Sequence, residues 1–192
     1  SPAGGNLKEP VTESTKKAAR CFYALEQNRA DQKRYPAVNP IDSYSKYLEY
    51  PEIREHLSEK VKPGWVEMVE KTKNIIRKGK DANDQINILG DDGVPMSYHE
   101  LFWKSELVDF VILQQDAFDA IDALCPIERQ SYMLELVLGI CDKEFKFEDY
   151  EQCRNFFKEV INTLRQMNYS EFKSEKFENY KQQLTNLLSN GN

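Results

Sequence analysis

The segment RYPAVNPIDS, residues 34–43, contains a tyrosine that could bind a flat ligand. Pro36 follows Tyr35 and Pro40 follows Asn39, and a residue that precedes proline is disfavoured in helical backbone angles. The segment therefore predicts a stiff loop that presents the Tyr35 ring at low entropic cost, as a platform for stacking. The same ring could instead fill a gap in a helical core, and the residues alone favour that plainer role.

A second aromatic side chain, Phe118, lies in LQQDAFDAID, residues 113–122, which we predict to be helical. Gln114 and Gln115 precede it, and their amide groups can hydrogen-bond to the edge of a nucleobase. The residues alone favour a core position for Phe118 over a ligand contact. The acidic side chains of this run are predicted on the outer face of the helix, and they are Asp116, Asp119 and Asp122.

Residues that could catalyse a reaction do not occur at productive spacings. Asp91 and Asp92 form a carboxylate pair, but Gly90 and Gly93 flank them, and such a turn is more often solvated than catalytic. The segment IRKGKDAN combines lysine and glycine without the GxxxxGK[ST] spacing that cradles a triphosphate. We therefore predict no catalytic residue in this chain.

Metal-binding and redox motifs are also missing from the sequence. Two histidines and four cysteines are present, and no pair has the HExxH or CxxC spacing. Each cysteine has apolar or aromatic neighbours, which predicts small buried thiols in a reducing cytosol and no bound metal ion. The cysteines are Cys21, Cys125, Cys141 and Cys153.

The composition limits the classes of partner. The net charge is -6, so the chain as a whole is not expected to bind nucleic acid. The longest apolar run, LELVLGIC at residues 134–141, is too short to span a bilayer. The chain begins with SPAGGNLKEP rather than with methionine, and we expect it to be part of a longer protein.

Apolar residues recur at helical spacing along nearly the whole chain, and no alternating run is long enough to assign a strand. The sequence therefore predicts an all-α bundle preceded by about 50 residues of mixed character. The first helix is expected to have Thr12 as its N-cap and to run to about Gln32. A short charged helix is expected to begin at Pro51. A long helix is expected from Trp65, with an interruption near Gly79.

The second half of the chain predicts a helical bundle. Ser97 and Glu100 have the spacing of a capping box at the start of a helix that runs to about Gln115 and reappears through Leu124. The apolar run SYMLELVLGI, residues 131–140, predicts the helix at the centre of the bundle. Three later helices are expected. The first has Pro126 in its first turn, the second is capped by Asp149 and Gln152, and the third starts near residue 174.

Taken together, these segments resemble the C-terminal part of the catalytic A subunit of a rotary V-type or archaeal-type ATPase. Five runs near the start carry the resemblance: SPAGG at 1–5, EPVT at 9–12, FYALE at 22–26, YPAVN at 35–39 and SYS at 43–45. It continues in FVILQQDAFDAIDALCPIERQSYMLELVL, residues 110–138, which is similar to the family's FLQQNAF run, the aspartate after it and its CSxxKQ helix.

The resemblance implies a domain division and a nucleotide. Residues 1–48 would be the last part of an α/β nucleotide-binding domain, and residues 49–192 the C-terminal helical bundle. The intact subunit would bind ATP or ADP with Mg²⁺. In the family the phosphate-binding loop lies upstream of the segment that this chain resembles. This chain alone is therefore expected to be inactive and to bind nucleotide weakly. Tyr35 and Phe118 would flank the adenine ring, and the implied nucleotide-binding residues are Tyr35, Pro36, Gln114, Gln115 and Phe118.

The resemblance also implies mechanical partners. ILGDDGVP, residues 88–95, resembles the loop between helices that presses on a rotating central shaft, so nucleotide binding would swing the helical domain against the shaft. Non-catalytic B subunits would alternate with this subunit in the hexamer of a cytoplasmic head that meets the membrane only through the ion-translocating sector. The implied shaft-contact residues are Gly4, Gly5, Gly90, Asp91 and Asp92.

Two residues depart from the family pattern, and one different function stays open. Pro40 stands where the family usually carries tryptophan, and Asp116 where asparagine is usual. The alternative function is a free-standing helical adaptor or scaffold with no nucleotide role. The proline-stiffened Tyr35 and the matching Phe118 favour the ATPase subunit, because a scaffold has no need of either.

Overall fold

The computed structural model describes residues 8–190, except for the side chain of Asn190. Helices dominate this part of the chain, which confirms the all-α prediction, and the described residues form two compact units that meet in sequence at Glu67 and Met68. The division into domains at residue 48 stays a prediction. The helices are α1 (Pro10–Ala18), α2 (Gln27–Asp31), α3 (Pro51–Lys60), α4 (Trp65–Leu89), α5 (Met96–Val108), α6 (Ile127–Cys141), α7 (Tyr150–Asn168) and α8 (Glu175–Asn190).

The first helix is much shorter than predicted. Pro10 occupies its first turn and Glu9 is the N-cap, so Thr12 lies inside the helix, and α1 ends at Ala18 rather than near Gln32. The end of α1 is fixed by a segment distant in sequence. The Tyr44 hydroxyl donates a hydrogen bond to the Lys16 carbonyl, and Lys46 Nζ donates to the Lys17 carbonyl at 3.0 Å. These bonds satisfy carbonyl groups that the end of a helix leaves open.

Two short strands occupy positions where none was predicted. β1 (Cys21–Phe22) pairs antiparallel with β2 (Tyr44–Ser45), and Phe22 lies opposite Tyr44 with 5.8 Å between the ring centroids. The apolar spacing of residues 18–25 fits a helix, but pairing with β2 determines the backbone instead. Tertiary contacts of this kind commonly override local propensity.

The second unit has its core around α7, which packs against α5 and α8. The apolar run of α6 is largely buried, although Glu135 and Gly139 within it are exposed. Its predicted place at the centre of the bundle is wrong, because α7 occupies that position. Asp149 caps α7 as predicted, because its Oδ1 accepts a 2.8 Å hydrogen bond from the Gln152 N–H. Fully or nearly fully buried core side chains of this unit include Leu107, Val108, Val137, Phe157, Val160, Leu164, Met167, Phe177 and Leu184.

Helices α4 and α5 form a hairpin whose crossing point is Gly79. The predicted interruption at Gly79 is wrong, since α4 is continuous. A Cβ atom at Gly79 would lie 2.0 Å from Ser105 Cβ and 3.0 Å from the Leu101 carbonyl oxygen. Glycine is needed here because any side chain would collide with α5, so this residue sets the close approach of the two helices.

The predicted capping box and the predicted continuation of α5 are both wrong. Pro95 is the N-cap of α5, so the helix starts at Met96 and Ser97 already lies inside it, with no side-chain capping bond. After Val108 the chain makes a π-helical turn at Asp109–Leu113, and residues 114–126 form a loop rather than a helix. Pro126 is the N-cap of α6 instead of part of its first turn.

Candidate functional site

The loop that carries Tyr35 is held by backbone hydrogen bonds. The Arg34 N–H donates to the Arg29 carbonyl at 2.7 Å, and the Val38 N–H donates to the Pro36 carbonyl at 2.8 Å. Leu25 and Val38 form an isolated antiparallel bridge across the loop. These bonds hold the backbone of the loop, and the stiffness that the prolines predict stays a prediction.

The second half of this loop is organised by Asn39. Its Oδ1 accepts hydrogen bonds from the Ile41 N–H at 2.8 Å and from the Asp42 N–H at 2.9 Å, and its N–H donates to the Ala24 carbonyl at 2.7 Å. Such side-chain turns replace regular secondary structure. The Tyr35 side chain is left 54% exposed, so it does not fill a core.

Phe118 lies at the tip of the loop of residues 114–126, which we call the Phe118 loop, and its side chain is 100% exposed. The core position favoured by the residues alone is therefore wrong. Asp116 Oδ1 accepts from the Phe118 N–H at 2.9 Å, and Asp119 Oδ1 accepts from the Ile121 and Asp122 N–H groups. Aspartate side chains that capture backbone N–H groups compete with helix formation, which explains why no helix forms here.

The base of the Phe118 loop is closed by a buried ion pair. Arg129 Nη2 lies 3.2 Å from Asp122 Oδ1, and both side chains are buried. Asp122 Oδ2 accepts a 2.6 Å hydrogen bond from the Asp116 N–H on the other side of the loop. Burial raises the pKa of the Asp122 carboxyl above its usual value, and the hydrogen bond from Asp116 and the charge of Arg129 oppose that rise.

Arg129 also connects the loop to the bundle. Its Nη1 donates to the Ile121 carbonyl at 3.1 Å, and its Nη2 donates to the Asn168 carbonyl at 2.7 Å, at the end of α7. Asn168 Nδ2 in turn donates to the Val111 carbonyl at 2.8 Å in the π-helical turn. The guanidinium group of Arg129 thus joins the Phe118 loop to the end of α7, and Asn168 extends this network to the π-helical turn. Sequence reasoning missed Arg129, because most of its acceptors are main-chain carbonyls that no spacing reveals.

The two predicted glutamines have different surroundings. Gln115 Nε2 donates a 2.6 Å hydrogen bond to the Asp122 carbonyl, so this amide helps to hold the loop. Gln114 Nε2 is buried without a hydrogen-bond partner among the described residues. Beside the loop lies an open groove of about 570 Å³, and it is lined by Gln115, Ala123, Leu124, Cys125, Pro126 and Gln130.

The predicted acidic turn joins α4 to α5 at the tip of the helical hairpin. Gly90 has φ +80°, which favours glycine, and Asp91–Gly93 form one 3₁₀ turn whose aspartates are exposed. The buried His99 ring donates from Nε2 to the Asp91 carbonyl at 2.9 Å and stacks on Tyr150 of α7 with 5.6 Å between centroids. Sequence reasoning missed His99, whose partner is again a main-chain carbonyl.

The remaining predicted residues fall in different parts of the chain. Tyr35 and Pro36 belong to the first compact unit, whereas the Phe118 loop and the acidic turn belong to the second. Gly4 and Gly5 lie outside the described residues. Across residues 8–190 no group of three or more acidic, histidine or cysteine side chains is placed to hold a metal ion, and no helix found there is long and apolar enough to cross a membrane.

Only two of the four cysteines are buried, so the prediction of buried thiols is wrong for the other two. Cys21 and Cys125 are exposed and Cys141 and Cys153 are buried, and all four are free thiols. Burial raises the pKa of both buried thiols to about 12, which keeps them protonated at neutral pH.

Comparison with protein families gives one clear match. The family described as the C-terminal domain of V and A type ATP synthase matches residues 54–157, which is more than half of the chain. The chain belongs to this family, which confirms the resemblance found in the sequence.

Individual relatives carry a more specific name. The chain is 38% identical over 188 residues to the V-type ATP synthase alpha chain of Chlamydia abortus and 39% identical over 188 residues to that of Chlamydia pneumoniae. Each match covers 98% of this chain and 31% of the relative, so the chain spans about a third of their length. These matches favour the ATPase-subunit interpretation over the free-standing adaptor.

One solved structure supports the fold. An ATP synthase subunit from Nanoarcheaum equitans superimposes with a TM-score of 0.56 at 17% sequence identity, covering 74% of this chain and 35% of that one. At this identity the similarity concerns the fold alone.

Proposed function

We propose that this chain supplies part of the adenine-binding site and the shaft-driving helical domain of the catalytic subunit of a rotary ATPase. The observation that carries the proposal is Phe118, a fully exposed phenyl ring on a loop fixed by buried hydrogen bonds. Exposing a phenylalanine forgoes about 1.5–3 kcal/mol of burial free energy. A rigid loop that holds such a ring in solvent is suited to receiving a flat partner.

The proposed partner is the adenine ring of ATP or ADP, with Tyr35 on its other face. Tyr35 is also held on a stiff loop with its side chain exposed, as a stacking ring requires. Stacking of a base on an aromatic side chain contributes about 1–3 kcal/mol. Gln114 and Pro36 would complete the surroundings of the base, while Gln115 stabilises the loop. The phosphates and Mg²⁺ would bind to residues outside this chain.

The helical hairpin is the proposed lever. The acidic turn at its tip exposes Asp91 and Asp92, and the preceding turn of α4 exposes Ile88 and Leu89. The His99 hydrogen bond ties this tip to α5, and Gly79 allows α4 and α5 to approach closely. A stiff arm with charged and apolar groups at its end is suited to transmit force to a shaft subunit. Alternating non-catalytic B subunits and a position in the soluble head of the membrane complex belong to the same proposal.

The test of the nucleotide site uses the full-length subunit in its complex. Tyr35→Ala and Phe118→Ala are each expected to weaken ATP binding about 5- to 150-fold, which corresponds to the loss of one stacking contact. Binding of inorganic tripolyphosphate, which lacks a base, should not change. Tyr23→Ala removes a tyrosine that is 75% exposed in the same unit and serves as the control. Unchanged ATP affinity in both site variants would refute the proposal.

The lever is tested separately. Replacing Asp91 and Asp92 together with alanine is expected to lower the torque of ATP-driven rotation while ATP affinity stays the same. Asp116→Ala, which removes a carboxylate from a different loop, is not a suitable control because Asp116 orders the Phe118 loop. Glu178→Ala is a better control, because it removes an exposed carboxylate on α8 that pairs with Lys181 at 3.5 Å. Unchanged torque in the aspartate variant would exclude the lever role.

A further inference from the structure

Arg129 lies at the point where the Phe118 loop joins the helical bundle, and nothing in the family resemblance assigns it a role in nucleotide binding. Its guanidinium group donates to the Ile121 and Asn168 carbonyls and to the Asp122 carboxylate, at distances between 2.7 and 3.2 Å. The side chain is 2% exposed, so it cannot touch a ligand on the surface of the loop. Its acceptors, however, lie in the loop itself and at the end of α7.

The aspartate that Arg129 binds also closes the loop. Asp122 accepts from Arg129 with Oδ1 and from the Asp116 N–H with Oδ2, so the two ends of residues 116–122 are held through one carboxylate. Phe118 lies between those ends, and its N–H is fixed by Asp116. Because the Phe118 ring is fully exposed and packs on no described residue, the hydrogen bonds at the base of the loop are what hold the backbone from which the ring projects.

We propose that Arg129 is a positioning residue for adenine, which acts through Asp122 by holding Phe118 in the orientation that stacks on the base. This inference rests on the proposed function. A planar guanidinium with separate donors can bond to three acceptors on two segments at once, whereas a lysine ammonium concentrates its donors on one atom. Arg129→Lys keeps the charge and loses part of this geometry, and Arg129→Met keeps an unbranched apolar stem and loses all of it.

The experiment is a double-mutant cycle in the full-length subunit within its complex. Phe118→Ala, Arg129→Met and the combination are compared for affinity to ATP and to tripolyphosphate. Arg129→Met is expected to weaken ATP binding about tenfold and to leave tripolyphosphate binding unchanged, with Arg129→Lys in between. The double variant should bind ATP no more weakly than Phe118→Ala alone, because Arg129 acts only through that ring.

A control and a second readout separate positioning from general stability. Arg54→Met removes an exposed arginine that pairs with Glu67 at 2.6 Å and should leave ATP affinity unchanged. Amide hydrogen exchange of residues 116–122 should become about tenfold faster in Arg129→Met, while exchange in α8 stays the same. If Arg129→Met does not fold, the same cycle with Arg129→Lys decides, with a smaller expected loss.

The outcomes distinguish the two proposals. Three results would each overturn the role of Arg129 while leaving the adenine site intact. They are wild-type ATP affinity in the folded Arg129 variants, unchanged amide hydrogen exchange in residues 116–122, and losses of ATP affinity that add in the double variant. If Phe118→Ala itself has no effect on ATP affinity, the proposed adenine site is wrong, and the role of Arg129 falls with it.

Discussion

Replacement of Gly79 by alanine tests whether the helical hairpin is held by a side-chain-free contact. The added Cβ atom would lie 2.0 Å from Ser105 Cβ, 2.5 Å from Ser105 Oγ and 3.0 Å from the Leu101 carbonyl oxygen. A normal carbon–carbon contact is about 3.5–4.0 Å. Rotation of the serine side chain cannot move its Cβ, so α4 and α5 must separate by roughly 1.5–2 Å or bend.

The magnitude follows from two opposing contributions. Overpacking of a well-packed contact costs about 1–3 kcal/mol, and a clash with atoms close to the backbone belongs at the upper end of that range. Alanine in place of glycine inside a helix stabilises the folded state by about 1 kcal/mol. We expect Gly79→Ala to lower the free energy of unfolding by about 2 kcal/mol. For a chain of this size the melting temperature should fall by about 4–8 °C.

The assay is thermal and urea unfolding followed by far-ultraviolet circular dichroism. Gly139→Ala is the matched control, because Gly139 lies in α6 and an added Cβ would meet no atom within 4 Å. That variant should be stabilised by about 0.5–1 kcal/mol. Ser105→Gly, introduced into Gly79→Ala, removes the colliding side chain and should recover part of the loss. If the Gly79→Ala variant is as stable as the Gly139→Ala variant, the close contact of α4 and α5 is refuted.

Three further predictions concern single side chains. His99→Ala should lower the free energy of unfolding by about 1–3 kcal/mol, because it leaves a cavity and an unpaired Asp91 carbonyl. A melting temperature equal to that of the wild type would contradict this prediction. A thiolate-selective reagent at pH 8 should modify Cys21 and Cys125 in the native chain and all four thiols in urea, because burial raises the pKa of Cys141 and Cys153 to about 12. Burial raises the pKa of Cys125 as well, so it should react more slowly than Cys21. Rapid reaction of all four thiols in the native chain would contradict this prediction. Phe118→Ala should change the free energy of unfolding by less than about 0.5 kcal/mol, since the ring is fully exposed. A loss above about 1 kcal/mol would show that the ring packs against other residues of the folded chain.

The elements that sequence predicts well are those whose signals are local. The long apolar periodicity of α4, α7 and α8 gives their positions. The Asp149 side chain caps α7 by accepting a hydrogen bond from the N–H of Gln152, only three residues away. The prolines around Tyr35 restrict the backbone within the loop itself. In each case the residues that determine the structure are neighbours in the chain.

The elements that sequence predicts poorly depend on distant partners. Helix α1 ends early because Tyr44 and Lys46 satisfy its last carbonyls. The Asp116 and Asp119 side chains oppose a helix after Leu113 locally, but the closure of the resulting loop depends on Arg129 of the next helix. Local propensity cannot contain this information. The same holds for the exposure of Phe118, since apolar residues at helical spacing are usually buried and only the loop geometry turns this ring outwards.

The central claim is that Tyr35 and Phe118 stack on opposite faces of one adenine ring. The most direct measurement is a structure of the full-length subunit, in its complex, with ADP bound. Both side-chain rings are expected to lie nearly parallel to the base, each at a van der Waals distance of about 3.5–4.0 Å. An adenine ring bound elsewhere, or stacked on neither side chain, would contradict it.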